Sequence, residues 1–404
     1  MRYYPDKTGT APLVTQLCQD LVLSGADVTV IASLPHYGRQ DVHPDYRHYQ
    51  GVFHRSNESG VNLIRTPVFL PRNQGLLQRA FNYLSYNLSS LIVGFQVEKP
   101  DVILAVNPPI TTTFTAWIIS LLRGAPLVVG IQDVWPECVI RVGKLTNPLL
   151  IILSEFLEKV QYRIAHKVIV LSAGMRQNLA EKSVPEEKIE VIANWADTGV
   201  VQPGQKENEF FRKHDLAGKF VILFSGNHGY ISALENILYA AELLSNDPEI
   251  LFILAGEGSV KSDLIKLAKD LGLKNLLFLP TQSEQDWLEM LAACDLALVP
   301  LRADLAGLNV PSKTYTLMAA ARPILASVPA ESEIAHLIVE SGAGMLSKPE
   351  DPADLAAKIT SLKNDPGSLE EFGQKGREYL LANYNRQKQT EHYYQVLKSA
   401  VGKE

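Results

Sequence analysis

The sequence predicts an α/β protein of two domains, each built on a parallel sheet wound with helices on both faces. Two observations carry this. Short apolar runs alternate with helix-length stretches along almost the whole chain, and this series stops and restarts once near the middle. A segment rich in Gly, Asn, Asp and Gln, VIANWADTGVVQPGQKENEF, separates the two series. At 404 residues the chain is long enough for two domains of ordinary size.

The first series begins with a Pro-Asp-Lys-Thr-Gly-Thr turn running into a helix over 11–24. Strands are expected at 26–32, 61–67, 100–106, 125–133, 167–172 and 188–194, with a further helix over 148–165. Most of these runs are continuously apolar, as in parallel strands covered on both faces. The second series has strands expected at 219–227, 250–258, 275–280, 294–300, 322–327 and 343–347. The domains are therefore placed at 1–196 and 197–383, with a polar, helix-competent tail over 384–404 free to pack back on the first. Two such domains leave a cleft, and loops at the carboxyl ends of their strands should point into it. Only Met1–Tyr4 precede the first loop, too few for the central strand such a sheet needs. The natural chain is expected to start several residues upstream.

The 46% hydrophobic and 20% charged content describes a globular protein with a large core. A net charge of -6 gives no general electrostatic footprint for nucleic acid. Cys18, Cys138 and Cys294 lie far apart without metal-like spacing and are expected as buried thiols in a reducing compartment. The first residues do not resemble a signal peptide, and no charge-free apolar run is long enough to span a bilayer. A cytoplasmic protein is expected. The segment 71–96 mixes Arg72 and Arg79 with Leu, Phe and Tyr. It reads either as a core helix or as a peripheral contact with an anionic membrane.

Several strand-to-helix junctions are candidates for chemistry. Gly9, in the first loop, permits close backbone approach to an anion or simply makes a turn. SGNHGYISALENI at 225–237 follows a strand, and Gly226, Asn227, His228 and Gly229 form a donor-rich loop. It suits a diphosphate at a helix start or is only a tight turn, with His228 a ligand or a cap. The Gly-x-Gly-x-x-Gly spacing of a dehydrogenase is absent. Gly256, Glu257 and Gly258 end another strand, where capping by Ser259 is the plain alternative. Ser312 and Lys313 lead into an apolar helix. A lysine in a first helical turn faces the positive end of the dipole, which suggests an anionic partner, surface exposure being the alternative. In the first domain IQDVWPE places Asp133 and Glu137 near a strand end, as an acid/base pair or as a cap and a solvated charge.

Taken in order, these stretches resemble family 4 glycosyltransferases, which have the GT-B fold. The similarity lies in YPDKTGT, LVLSGADVTVIA, VIANWAD, ILFSGNHG, the 253–280 block ILAGEG to LLFLP, and VPSKTYTLMAAARPILAS, and so covers nearly the whole chain. IQDVWPE with VPSKTYTLMAAARP resembles the bacterial polysaccharide branch that includes colanic-acid enzymes and N-acetyl-L-fucosamine transferases. The resemblance implies a hexosyl or N-acetylhexosaminyl transfer from a nucleotide diphosphate sugar, a UDP-sugar, to a hydroxyl of a polysaccharide precursor or lipid-linked acceptor. Retention, and no metal or other cofactor, are implied with it. Gly226–Gly229, Glu257, Gly258, Ser312 and Lys313 would then face the donor, the backbone of Leu279 to Thr281 its base, and Gly9 the donor from the first domain. Asp133 would lie near the transferred sugar. The family's two glutamates, eight residues apart, are Leu308 and Thr316 here, and its Lys-Gly pair is Ser232-Ala233. These departures leave two other readings open, a sugar-nucleotide epimerase on the same scaffold and a non-catalytic subunit that binds a sugar nucleotide.

Overall fold

The computed structural model describes residues 3–6, 10–36, 46, 53–70 and 76–402. The first part of the chain runs α1 (Ala11–Leu23), β1 (Thr29–Ser33), β2 (His54–Glu58), β3 (Val61–Thr66), α2 (Leu76–Gly94), β4 (Ile103–Asn107) and α3 (Thr111–Arg123). It continues through β5 (Leu127–Ile131), α4 (Glu137–Arg141), α5 (Pro148–Ile164), β6 (Lys167–Val170), α6 (Ala173–Glu181) and β7 (Ile189–Val191). Local chemistry fixes several boundaries. Asn147 caps α5 by accepting from the amides of Leu149 and Leu150, with Pro148 in the first turn. Gly124, at φ +64°, ends α3 in the left-handed conformation.

All five residues of β5 are buried, because both faces of the sheet are covered. Leu127, Val129 and Ile131 point into the cluster that takes in Ala116 of α3 and Tyr162 of α5. Val128 points the other way, onto Leu17 and Leu21 of α1. The strands form two sheets in the order β1-β3-β2 and β4-β5-β6-β7, and no described strand joins them. Tyr3 is buried with Cys18, Ala32, Val61 and Leu63. β2 is a polar, half-exposed strand antiparallel to β3 that the apolar pattern does not announce.

The second part runs α7 (Glu209–Lys213), β8 (Phe220–Ser225), α8 (Glu235–Leu243), β9 (Ile250–Ala255), α9 (Lys261–Asp270), β10 (Leu276–Leu279) and α10 (Glu284–Ala293). Then come β11 (Leu296–Pro300), α11 (Lys313–Ala319), β12 (Ile324–Ser327), α12 (Glu333–Ser341), β13 (Gly344–Ser347), α13 (Pro352–Lys363) and α14 (Pro366–Asn383). Its six strands are all parallel in the order β10-β9-β8-β11-β12-β13. Strand order reverses between β8 and β11, and ligands of such sheets bind at the carboxyl ends flanking that point.

The last helix, α15 (Arg386–Ala400), returns to the first part and packs on α1, burying Tyr393, Val396 and Leu397. The two crossings of the chain meet in an isolated parallel bridge between Ala196 and Asn385. Arg386 ties them to α1, pairing with Asp20 and Asp197 at 2.7 Å each. All three cysteines are free and buried.

Candidate active site

Three loops leave the carboxyl ends of β8, β9 and β10 and are stitched together backbone to backbone. The amide of Gly226 donates to Ala255 (2.9 Å), that of His228 to Glu257 (2.9 Å) and that of Gly256 to Leu279 (3.1 Å). Glycine is needed for this approach. Gly256 sits at φ +139°, and a Cβ there would collide with the carbonyl oxygen of Gly226. A Cβ on Gly258 would strike the backbone of His228. Asn227 is exposed at the tip, while Gly229 is buried behind it.

The loop does not open α8 directly. A 3-10 turn at Tyr230–Ser232 and Ala233 at φ +42° intervene, so α8 starts only at Glu235. The expectation of a helix N-terminus at Gly226–Gly229 therefore fails. Nor does Ser259 cap α9, which begins at Lys261 without a side-chain cap.

Across the switch point, Lys313 is the first residue of α11, behind an exposed Ser312 that makes no capping bond. Its Nζ lies 3.6 Å over the ring of Phe224 and packs on Gly226. No carboxylate pairs with it among the described residues. Burial lowers its pKa to about 7. The His228 ring is fully buried between Phe224 and Phe278, and neither nitrogen has a hydrogen-bond partner. Burial, then the ammonium groups of Lys261 and Lys313, depress its pKa to about 4, so the imidazole is neutral at pH 7. It caps nothing.

Lys261 belongs to the same cluster. Its Nζ donates to the carbonyls of Gly256 (2.8 Å) and Leu279 (3.1 Å) and pairs with the largely exposed Glu257 (2.8 Å). It too is a cation in a first helical turn, so the signal that singled out Lys313 applied equally to it. Thr281 is exposed beyond β10. Gly9 lies outside the described residues.

The first domain meets this cluster through the loop after β11. The amide of Val134 donates to the carbonyl of Leu308 (3.0 Å), and the Cys138 thiol donates to the same oxygen. Arg141 reaches the carbonyl of Asp304 (3.2 Å). Asn309 donates its side-chain amide to the Asp133 carboxylate. Burial raises the Asp133 pKa, and the Asn309 bond offsets only part of that. Asn309 lies four residues before Lys313, so one short segment links the first-domain carboxylate to the glycine loops. Leu308, at a glutamate position of the resembled family, is buried and works through its backbone.

Glu137 is not available as an acid or base partner to Asp133. Arg141 holds one oxygen (2.7 Å), while Asn178 (3.0 Å) and Lys182 (2.9 Å) hold the other. Burial alone would raise its pKa, but bonds from Asn178, Lys182 and Arg141 outweigh that and hold it at about 2. Lys182 also pairs with the buried Glu158 (2.7 Å), which accepts from the Tyr162 hydroxyl (2.9 Å). The network braces α4, α5 and α6.

Among the described residues no three His, Cys, Asp or Glu side chains gather as metal ligands. A cavity of about 560 Å³, lined by Asp295, Arg322 and Arg377, lies at the amino ends of β11 and β12 and holds none of the site residues. There the Arg322 and Arg377 guanidinium groups are occupied by main-chain carbonyls.

Residues 8–195 match the glycosyl transferase 4-like domain, and residues 205–379 match glycosyl transferases group 1. The probable glycosyltransferase WbjE of Pseudomonas aeruginosa is 31% identical over 301 residues, 74% of each chain. The putative colanic acid biosynthesis glycosyl transferase WcaI of Escherichia coli (strain K12) is 26% identical over 368 residues, 89% of each. Among solved structures, HepE of Anabaena with UDP and glucose superposes with a TM-score of 0.71 at 15% identity, covering 97% of this chain and 98% of that one. WaaG, a glycosyltransferase involved in lipopolysaccharide biosynthesis, gives 0.70 at 15% identity over 98% of both.

Proposed function

Since the chain belongs to the glycosyltransferases, a group 1 domain following a 4-like domain in the GT-B arrangement, we propose that its donor is a UDP-sugar. The acceptor is a hydroxyl of a polysaccharide precursor or lipid-linked saccharide, in line with the colanic acid role named for the Escherichia coli relative. Transfer proceeds with retention and needs no bound metal.

The observation that carries this is Lys313. Its ammonium is sunk beside the Gly226 loop with an aromatic face for company and no carboxylate, so an anion completes its surroundings. A diphosphate laid across Gly226–Gly229 supplies that anion. As the acceptor oxygen bonds the anomeric carbon, the bond to the diphosphate breaks, negative charge builds on the departing group, and the acceptor's hydroxyl proton passes to that departing diphosphate oxygen. Lys313, with Lys261 behind the loop and the start of α11, stabilises it electrostatically. His228 stays neutral and supports the loop from beneath. Gly258, Glu257, Leu279 and Thr281 border the nucleoside, and Ser312 borders the phosphates. Asp133, oriented by Asn309, faces the transferred sugar. Glu137 braces the loop that carries it.

A thermal-shift screen against UDP-, GDP- and dTDP-sugars tests the donor, with a UDP-sugar expected to stabilise most. Turnover of that donor with and without acceptor then separates transferred sugar from free epimer and from no product. Either of the last two outcomes refutes the proposal.

A further inference from the structure

The outer sides of α2, α3 and α5 are apolar where an α/β protein is ordinarily polar. The three helices lie side by side in the first domain, α2 on α3 and α3 on α5. On α2, Phe81, Leu84, Leu88 and Ile92 recur every three or four residues, each more than half exposed. On α3, Leu121 and Leu122 are each 63% exposed. On α5, Leu149, Ile152 and Phe156 form the same kind of stripe. Contiguous exposed apolar surface of this extent marks an interaction site.

Charge indicates what covers it. α2 and α3 contain no acidic residue, and α5 exposes only Glu155, since Glu158 is turned into the ion network. The α5 stripe continues at the same spacing into Lys159 and Arg163, both exposed and without a carboxylate partner among the described residues. This local basic excess stands on a chain of net charge -6. We infer that the α2–α3–α5 face docks on an anionic lipid bilayer, its apolar stripes at the headgroup boundary and Lys159 and Arg163 reaching lipid phosphates. No described helix is long and apolar enough to cross. A second copy of the chain is a poorer occupant. A two-fold interface would set this basic fringe against its own acid-poor face, with almost nothing to neutralise it.

The inference extends the contact expected at 71–96 to three helices, and rests on the transferase reading only in saying where a lipid-linked acceptor is met. Co-sedimentation of the full chain with vesicles, in the absence of donor and acceptor, tests it. Partition onto phosphatidylglycerol/phosphatidylethanolamine vesicles should exceed that onto phosphatidylcholine by about tenfold or more and fall with salt. The double variants Leu88→Glu/Ile92→Glu and Lys159→Glu/Arg163→Glu should each lose most of that partition, with parent-like melting by circular dichroism. Parent-like partition by both folded variants, or no partition by the parent, overturns the inference. So does a dimer in analytical ultracentrifugation that Leu88→Glu/Ile92→Glu dissociates while the parent fails to bind vesicles. Failure of the donor screen would leave the vesicle result standing.

Discussion

A pH titration of donor binding tests the role of Lys313 more sharply than its removal alone. A lysine in water holds its proton to 10.5, and burial beside Phe224 brings Lys313 to about 7. The difference corresponds to about 5 kcal/mol set against the ammonium by its burial. A diphosphate favours the ammonium, so the protonated fraction is the binding-competent one. Apparent affinity for a UDP-sugar should then weaken above pH 7, about tenfold by pH 8 and a hundredfold by pH 9. A UDP-sugar is the right probe, because the terminal phosphate of free UDP itself titrates at about 6. Calorimetry at pH 7 in buffers of different ionisation enthalpy should show about half a proton taken up per donor bound. In Lys313→Ala the pH dependence should vanish, with affinity at pH 6.5 about ten- to a hundredfold weaker, the worth of a charge-assisted hydrogen bond. Wild-type affinity that stays flat from pH 6.5 to 9, or a Lys313→Ala protein that binds like its parent, would refute the reasoning. Folding is linked to the same proton. The unfolded chain keeps it to 10.5 and the folded one only to about 7, so this group makes stability rise with pH across that window. Below pH 7 the buried ammonium is a constant cost, and Lys313→Met should melt higher at pH 6 while losing the donor.

Asp133→Asn should lower transfer more than donor affinity, and equal losses would count against a role at the sugar. Because burial raises its pKa, the acid limb of the wild-type rate profile should lie above the ordinary aspartate value of about 3.9 and disappear in Asp133→Asn. Gly256→Ala drives a methyl into the Gly226 carbonyl, which should cost about 1–3 kcal/mol in denaturant unfolding and weaken donor binding, and a parent-like protein would contradict the stacked-loop account. Lys182→Met leaves Glu158 buried without its cation, a loss expected at about 3–5 kcal/mol by chemical denaturation. A loss well below about 1 kcal/mol would mean that the network does not hold α4–α6 together.

Most of the parallel strands were legible because they are largely apolar runs, β5 and β11 being buried along their whole length, and a strand overlaps every one of the twelve expected segments. β2 was not, since His54–Glu58 is polar and half-exposed with only β3 beside it. In the site, Lys313 could be picked out because a cation at a helix start violates a local rule. Asn309 breaks no local rule, and its importance arises only when it meets Asp133, 176 positions away. Glu137 misled for the same reason. Arg141, four residues on, could be read locally, but Asn178 and Lys182, which hold its other oxygen, arrive at the end of α6 from much further along the chain. Leu308 marks another limit, for it works through its carbonyl, which no side-chain pattern encodes.

The paired crossings at Ala196 and Asn385 have a mechanical consequence. A single linker would let one lobe swivel freely about the other, whereas two adjoining strands fastened to α1 through Arg386 act as a strap. A strap bends about one axis and resists torsion. The lobes meet a second time where the carbonyl of Leu308 takes the amide of Val134. The strap and the contact of the Asn309 amide with the Asp133 carboxylate thus hold the lobes together at two separate places. Cutting the chain ahead of α15 would sever one ply of the strap and strip the cover from Leu17 and Leu21, so the final helix joins the lobes as much as it completes the packing of the first.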